Sequence, residues 1–337
     1  LLHYSPNPKS HLLGLPCWEI LVNERTSERV NDIRSTHLRG LDIKLKPSSR
    51  SGYNFLVNGS LHKFHNCGEH NADQFTFQKL IQSIDSLQDV FSINPSECFI
   101  HGLEIGVNIL LPYSPIRVLK NIVCYRSRPF MQINKRDARK GLKCALSQYS
   151  VKIYDKARQS SQECGNVLRF EVSVDKMQLL SKYEIHTMAD LQNDKKVYRL
   201  IELLKETLGG IIWTDTNANL KKLCDRELKQ WLYYSNPKTW QALGKYQRIR
   251  AIKKWKDLLS KHGQSINLQP LLISTWNMLF AENEAEKAQP FYQCLKSNEA
   301  ENPQPFYQLE EQIEAQNPAT ILPLVWTVKR LRKEDKN

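Results

Sequence analysis

Hydrophobic and polar residues alternate with a period of two in three separate stretches of the chain. Leu103, Ile105, Val107 and Ile109 alternate with Glu104 and Asn108; Val151 and Ile153 alternate with Lys152 and Tyr154; Leu168, Phe170, Val172 and Val174 alternate with Arg169, Glu171 and Ser173. Each pattern predicts a strand with one apolar face and one chemically active face. If the three strands share a sheet, a tyrosine hydroxyl, two carboxylates and several cations converge on its far side.

Upstream, Leu41-Asp42-Ile43-Lys44-Leu45 alternates as well, the Pro47 to Gly52 segment turns, and Tyr53, Phe55 and Val57 form a return strand. Asn58-Gly59 then reads as a hairpin turn, so a β-meander is expected. Phe77, Leu80, Ile81, Ile84 and Leu87 fall at helical spacing and predict a helix over 75–90, ended by Asn94-Pro95. Beyond Lys176 the texture turns helical, with Val197, Leu200, Ile201, Leu203, Leu204 and Leu208 in one stripe closed by Gly209-Gly210. The expected class is α+β: an antiparallel sheet core with packed helices, then a mostly helical C-terminal region. The expected division is a sheet-based catalytic domain over 1–185, a basic helical DNA-binding region over 186–265, and a helical or linker segment over 266–337. That last segment contains a duplication: Glu284-Ala285-Glu286 and Gln289 to Gln293 recur fifteen positions later as Glu299 to Glu301 and Gln304 to Gln308, and Glu314-Ala315-Gln316 keeps the period. So short a unit, interrupted by prolines, reads as an acidic linker or docking segment and not as a solenoid.

Charge narrows the partners. Lys and Arg number 48 against 35 Asp and Glu, a net charge of +13 that attracts polyanions, nucleic acid foremost. No apolar run approaches the roughly 18 to 20 residues needed to span a bilayer, and Leu1-Leu2-His3-Tyr4 reads as a trimmed start without a secretory signal. Eight cysteines are scattered without a CxxC pair, which predicts reduced thiols in a cytoplasmic protein. A basic connection (Arg126, Arg128, Lys135, Arg136, Arg139, Lys140, Lys143) precedes the tyrosine strand and suits a phosphate backbone. Residues 221–262 interleave cations with Trp231, Tyr233, Tyr234, Trp240, Tyr246 and Trp255. That texture fits backbone contacts with base stacking, and equally fits core aromatics beneath solvated helix faces.

The candidate chemistry is phosphoryl transfer. Tyr154 lies between Lys152 and Lys156, which can favour its phenolate and hold a phosphate; a phenol with an ordinary pKa near 10 needs such activation. Glu104 lies between Gly102 and Gly106, where the missing side chains leave room for a ligand or a DNA backbone. Asn108 is four residues on, roughly 13 Å along a strand, so Glu171 on a neighbouring strand about 4.8 Å away is the better partner for Glu104. Oxygen ligands of this kind suit Mg²⁺ or Mn²⁺. The plainer alternatives are a tyrosine packed on a half-buried strand and a solvated glutamate.

Gly59-Ser60-Leu61-His62-Lys63-Phe64, followed by Gly68 and Asn71, resembles the "GSLHKF…G…N" segment of rolling-circle replication initiators from plasmids and filamentous phages. Three further likenesses follow in order: Gly102 to Asn108 resembles the acidic strand of that family, Lys152-Ile153-Tyr154-Asp155-Lys156 its "R-I-Y-x-K" strand, and Leu168-Arg169-Phe170-Glu171 its "xRFE" strand. The likeness covers roughly residues 40 to 185. It implies an enzyme related to the HUH nucleases that nicks one DNA strand at an origin, stays joined to the 5′ phosphate through Tyr154, and later rejoins the ends. The residue pattern and the resemblance together give the candidate site: catalytic Tyr154 and Lys156, a Mg²⁺ or Mn²⁺ site at Glu104, Glu171 and Asn108, and DNA contacts from Lys152, Arg169, Lys63, His65, Arg126 and Arg128. Single-stranded DNA or an origin hairpin is the implied substrate, with a host helicase and a second copy of the chain as further candidate partners. The chain departs from the family in having Glu104 where Asp is common, Asn108 where a second acid is common, and no His-hydrophobic-His triplet. Read as strand, His62 and His65 fall on opposite faces, with His65 beside Lys63. Tyr125 and Tyr149 are the candidate second nucleophiles. A non-catalytic, sequence-specific DNA-binding protein is the alternative function, and a structural RNA-binding protein a third.

Overall fold

The alternating segments of the first half fold as antiparallel strands. The computed structural model describes residues 2–4, 18–23, 25–49, 52–133, 141–160, 165–263 and 267–281. The 284–318 repeat, and Lys135, Arg136, Arg139 and Lys140 of the basic connection, lie outside the described residues.

Strands β1 (Leu2–Tyr4), β2 (Glu19–Val22), β3 (Arg29–Leu38), β4 (Leu41–Ser48), β5 (Gly52–Gly59) and β6 (Phe99–Ile100) form a six-stranded sheet in the order β2-β3-β4-β5-β1-β6. The β3–β4 hairpin turns at Arg39-Gly40, both with positive φ (46° and 81°), the backbone a tight two-residue hairpin requires. Asn58-Gly59 does not make the expected hairpin. It ends β5, and Ser60 caps helix α1 (Leu61–His65) by accepting from the Lys63 amide at 3.3 Å. A serine immediately after Gly59 supplies a helix start that outcompetes the turn. Helix α2 (Phe77–Phe91) follows the predicted stripe, begins at the Thr76 cap and buries Ile84, Leu87 and Phe91. Phe91 meets Phe55 of β5 with ring centroids 5.2 Å apart.

The second sheet carries the three alternating stretches. Strands β7 (Leu103–Leu110), β9 (Met131–Gln132), β10 (Gly141–Ala145), β11 (Tyr149–Asp155) and β12 (Val167–Val174) assemble in the order β7-β12-β11-β10-β9, every neighbouring pair antiparallel. Val107, Ile109, Val151, Ile153, Phe170 and Val172 are buried on one face. Between β7 and β9 lie helix α3 (Pro115–Lys120) and β8 (Ile122–Tyr125), which pairs with the later β13 (Ile211–Trp213) as a separate ribbon. Helix α4 (Lys156–Ser160) follows β11 directly.

The helical half contains α5 (Asp194–Tyr198), α6 (Leu200–Gly209), α7 (Asp225–Tyr234), α8 (Pro237–Ala242), α9 (Lys245–His262) and α10 (Gln269–Phe280). Two hydrophobic cores result, and they do not divide at residue 185. Leu200, Leu204, Leu272 and Trp276 join the large core with the strands of both sheets, whereas the second core gathers Trp231, Tyr234, Trp240, Trp255 and Leu258 over Cys124 of β8 and Ile212 of β13. The four buried aromatics of 221–262 are therefore packing residues, leaving Tyr233 and Tyr246 exposed.

The molecule is α+β with antiparallel sheets. Among the described residues no helix is long and apolar enough to cross a membrane. Cys98, Cys124, Cys144 and Cys224 are free thiols, and burial pushes Cys98 and Cys124 up to about 12.

Candidate active site

Strand register fixes which side chains meet. Lys152 of β11 is opposite Glu171 of β12, which is opposite Gly106 of β7; one step along, Tyr154, Arg169 and Asn108 form the next row, and Ser150, Ser173 and Glu104 the row on the other side. All project from the face opposite the core residues, because alternate positions share a face. Lys143 of β10 joins that face opposite Lys152.

The side chains form one connected network centred on Glu171. One carboxylate oxygen pairs with Lys152 Nζ at 2.9 Å; the other accepts from Arg169 Nε at 3.0 Å and from the Tyr154 hydroxyl at 3.2 Å. Lys152 Nζ also pairs with Glu104, so a single ammonium bridges both acids. Arg169 donates in addition to Asn108 Oδ1 at 3.2 Å. Burial raises the Glu171 pKa, but Arg169 and Lys152 outweigh it and hold the carboxyl below its ordinary value. Burial and the adjacent Glu171 charge both push the Tyr154 phenol well above 10, so the resting side chain is a neutral hydrogen-bond donor. Burial opposes the charge on Lys152, yet Glu171 and Glu104 raise its pKa, so it stays an ammonium.

Lys156 lies elsewhere than the sequence pattern placed it. Strand β11 ends at Asp155, whose carboxylate accepts from the Arg158 amide at 3.2 Å and starts α4. Lys156 is thus a helix residue, fully buried, with Nζ held by Asn71 Oδ1 at 2.7 Å and Gln159 Oε1 at 2.9 Å. It still overlies the Tyr154 ring, 6.0 Å from the centroid.

Asn71 belongs to a loop between α1 and α2 that the alternation did not reveal. Asn108 Nδ2 donates to the carbonyls of Ala72 and Asp73 at 3.1 and 3.0 Å, tying this loop to β7. Asp73 collects His62 Nε2 at 2.6 Å, Asn66 at 2.7 Å and Lys79 at 3.2 Å. Burial raises the Asp73 pKa, yet His62 and these other partners hold it far below the ordinary range. Burial lowers His62, which stacks on Phe75 at 4.7 Å. Because α1 is a helix, His62 and His65 fall on one side, and His65 also meets Phe75, edge-on at 6.1 Å. The strand-based separation of the two histidines is corrected by the Ser60 cap, which sets a helical period there.

The glycines serve the strands. A Cβ at Gly106 would come 2.6 Å from Glu171 Cβ, and one at Gly141 would come 2.2 Å from Tyr154 Cβ. The open space expected beside Glu104 at Gly106 is filled by Glu171, and Gly141, not singled out by its sequence setting, lets β10 close on Tyr154.

The remaining candidates lie apart from this network. The Lys63 stem lies close to Gly40 in the β3–β4 turn. Arg126 pairs with Glu206 at 3.4 Å and Arg128 is exposed on the same β8–β9 connection. Tyr125 and Tyr149 bond hydroxyl to hydroxyl at 2.8 Å, Tyr149 projecting on the face opposite Tyr154.

A divalent ion here would have to displace contacts already made. Glu104 and Glu171 do share one cation, but it is the Lys152 ammonium, and both Glu171 oxygens are engaged. Asn108 spends its amide on the loop carbonyls and its oxygen on Arg169. Among the described residues no group of three or more His, Cys, Asp or Glu is placed to hold a metal. Two acids already balanced by two cations do not fit Mg²⁺ or Mn²⁺ in this arrangement. A cavity of about 680 Å³ runs along the edge strand β7, lined on its polar side by His62, Asn71, Gln74, Glu104, Asn108 and Arg169. No family model, curated protein or solved structure significantly matches the chain.

Proposed function

We propose that the chain is a tyrosine-dependent DNA nicking and joining enzyme of the rolling-circle initiator type, related to the HUH nucleases. One observation carries the reading: the Tyr154 hydroxyl donates to a carboxylate that also holds two cations, Lys152 and Arg169. Nucleophile, proton acceptor and charge-stabilising groups therefore belong to one network. The incoming phosphate draws Lys152 and Arg169 toward its oxygens, and Glu171, relieved of part of its cation shell, becomes the stronger base. Tyr154 Oη bonds to phosphorus while its proton passes to Glu171. The bond from phosphorus to the 3′ oxygen breaks, that oxygen leaves as a hydroxyl with a proton drawn from solvent, and Glu171 returns the proton it accepted to solvent. The reverse sequence, with the 3′ hydroxyl attacking the phosphotyrosine, rejoins the strand.

The second reading, DNA binding without cutting, draws on a specific observation: Tyr154 is 9% exposed and its hydroxyl is already donated. Incubation of the full chain with a random-sequence single-stranded oligonucleotide pool, followed by denaturing electrophoresis, separates the two. The assay includes Mg²⁺, Mn²⁺ and chelator arms, since the family resemblance implies a divalent ion that the Lys152 bridge does not call for. A covalent adduct that disappears in Tyr154→Phe supports nicking; no adduct in any arm, or one that survives the substitution, overturns it.

A further inference from the structure

We infer that the first half of α9 is a reading helix for the major groove of double-stranded DNA. The inference is independent of the nicking chemistry. Ala251, Trp255, Leu258 and Leu259 turn inward to the second core. Tyr246, Ile249, Arg250 and Lys253, at i, i+3, i+4 and i+7, share the outward face. Tyr246 is 74% exposed and Ile249 59% exposed, neither recruited by the core beneath. Lys245, Arg250, Lys253, Lys254 and Lys256 are exposed around them, and among the described residues none of these five forms an ion pair. The only acid on the helix is Asp257. A solvated helix face ordinarily interleaves acids with its cations, whereas this one repels itself and awaits a polyanion.

The platform is rigid. Trp255 Nε1 donates to the Trp213 carbonyl at 2.7 Å, and Trp231 packs on Trp255 with centroids 5.0 Å apart. Arg248 donates to the Leu243 carbonyl at 2.9 Å and the Gly244 amide to Gln247 at 3.0 Å, fixing the short link from α8. A convex helix matches the major groove of B-DNA, roughly 12 Å wide, where an aliphatic side chain meets thymine methyl groups, arginine reads guanine and lysines hold phosphates. Single strands call for a groove with several stacking aromatics, and the major groove of duplex RNA is too narrow for a helix.

Fluorescence anisotropy of the full chain on a labelled mixed-sequence DNA duplex, across a salt series, tests this. A dT single strand and an RNA duplex of the same sequence complete the set. In the triple variant Arg250→Gln, Lys253→Gln, Lys254→Gln, with circular dichroism and melting checked, DNA-duplex affinity falls at least about tenfold and the log–log salt slope shrinks by about 2.7, while single-strand affinity changes less than about twofold. Selection from a random duplex pool enriches a motif that Ile249→Ala relaxes. Failure of the wild type to bind the duplex, unchanged binding in the triple variant, or equal losses on single strand or RNA overturn the inference. Loss of the covalent adduct in Tyr154→Phe with duplex binding intact leaves it standing.

Discussion

Two tyrosine sites occupy opposite faces of one sheet. On the core side, Tyr149 bonds to Tyr125, which is fully buried and whose pKa is raised by burial and by Tyr149 itself. On the polar side, Tyr154 is nearly as buried and its pKa is raised as strongly, yet its hydroxyl bonds to a carboxylate that holds two cations. Burial and a high pKa are common to both and so mark neither as reactive. The difference lies in what the proton is given to: another phenol, or a base with compensating charge beside it.

The largest contrast is expected in chemistry. Tyr154→Phe abolishes the covalent DNA adduct on denaturing gels, while Tyr149→Phe retains it; the reverse pattern would move the nucleophile to the other face. Next comes stability. Glu171→Gln leaves the half-buried Arg169 and Lys152 without the buried anion they share and costs about 3–5 kcal/mol in urea unfolding. Its pH dependence has a definite sign. Glu171 and Asp73 both have depressed folded-state pKa values, so their stabilisation is present above the ordinary carboxylate pKa and lost as pH falls through the depressed values. His62 acts in the same direction, since its folded pKa is below 6.5 and acid favours the unfolded, protonated form. Melting temperatures followed from pH 7 downward therefore fall, and Glu171→Gln flattens the part of the slope below about pH 5. Gly141→Ala forces β10 away from Tyr154 and costs about 1–3 kcal/mol in the same unfolding assay, with adduct yield falling as the ring shifts. Smallest is Tyr125→Phe, about 1 kcal/mol in stability with adduct formation unchanged.

Much of this contrast was legible in the residues. Period-two alternation places Glu104, Asn108, Lys152, Tyr154, Arg169 and Glu171 on one face, and antiparallel pairing brings them together. Alternation carries no information on where a strand stops, so it extends the strand to Lys156, one step past the Asp155 cap. It says nothing of loops either. Asp73 reaches the sheet through Asn108, a side-chain to backbone contact between segments some 35 residues apart, and Asn71 meets Lys156 just past the end of β11. The identity of the shared cation was equally invisible, because a lysine two strands from Glu104 competes for the place a metal would take only once register is known. The aromatic-basic texture of 221–262 mixed two roles that burial separates: tryptophans inward, Tyr246 and the cations outward.

The Lys152 bridge has a consequence for kinetics. With Glu104 and Glu171 set against Lys152 and Arg169, these four bridged groups carry no net charge at rest and exert little pull of their own on a distant polyanion. Long-range capture then falls to the basic exterior, chiefly α9, and the centre acts only at contact distance. Ionic strength should slow the arrival of DNA in stopped-flow mixing while leaving the single-turnover rate of the seated complex unchanged.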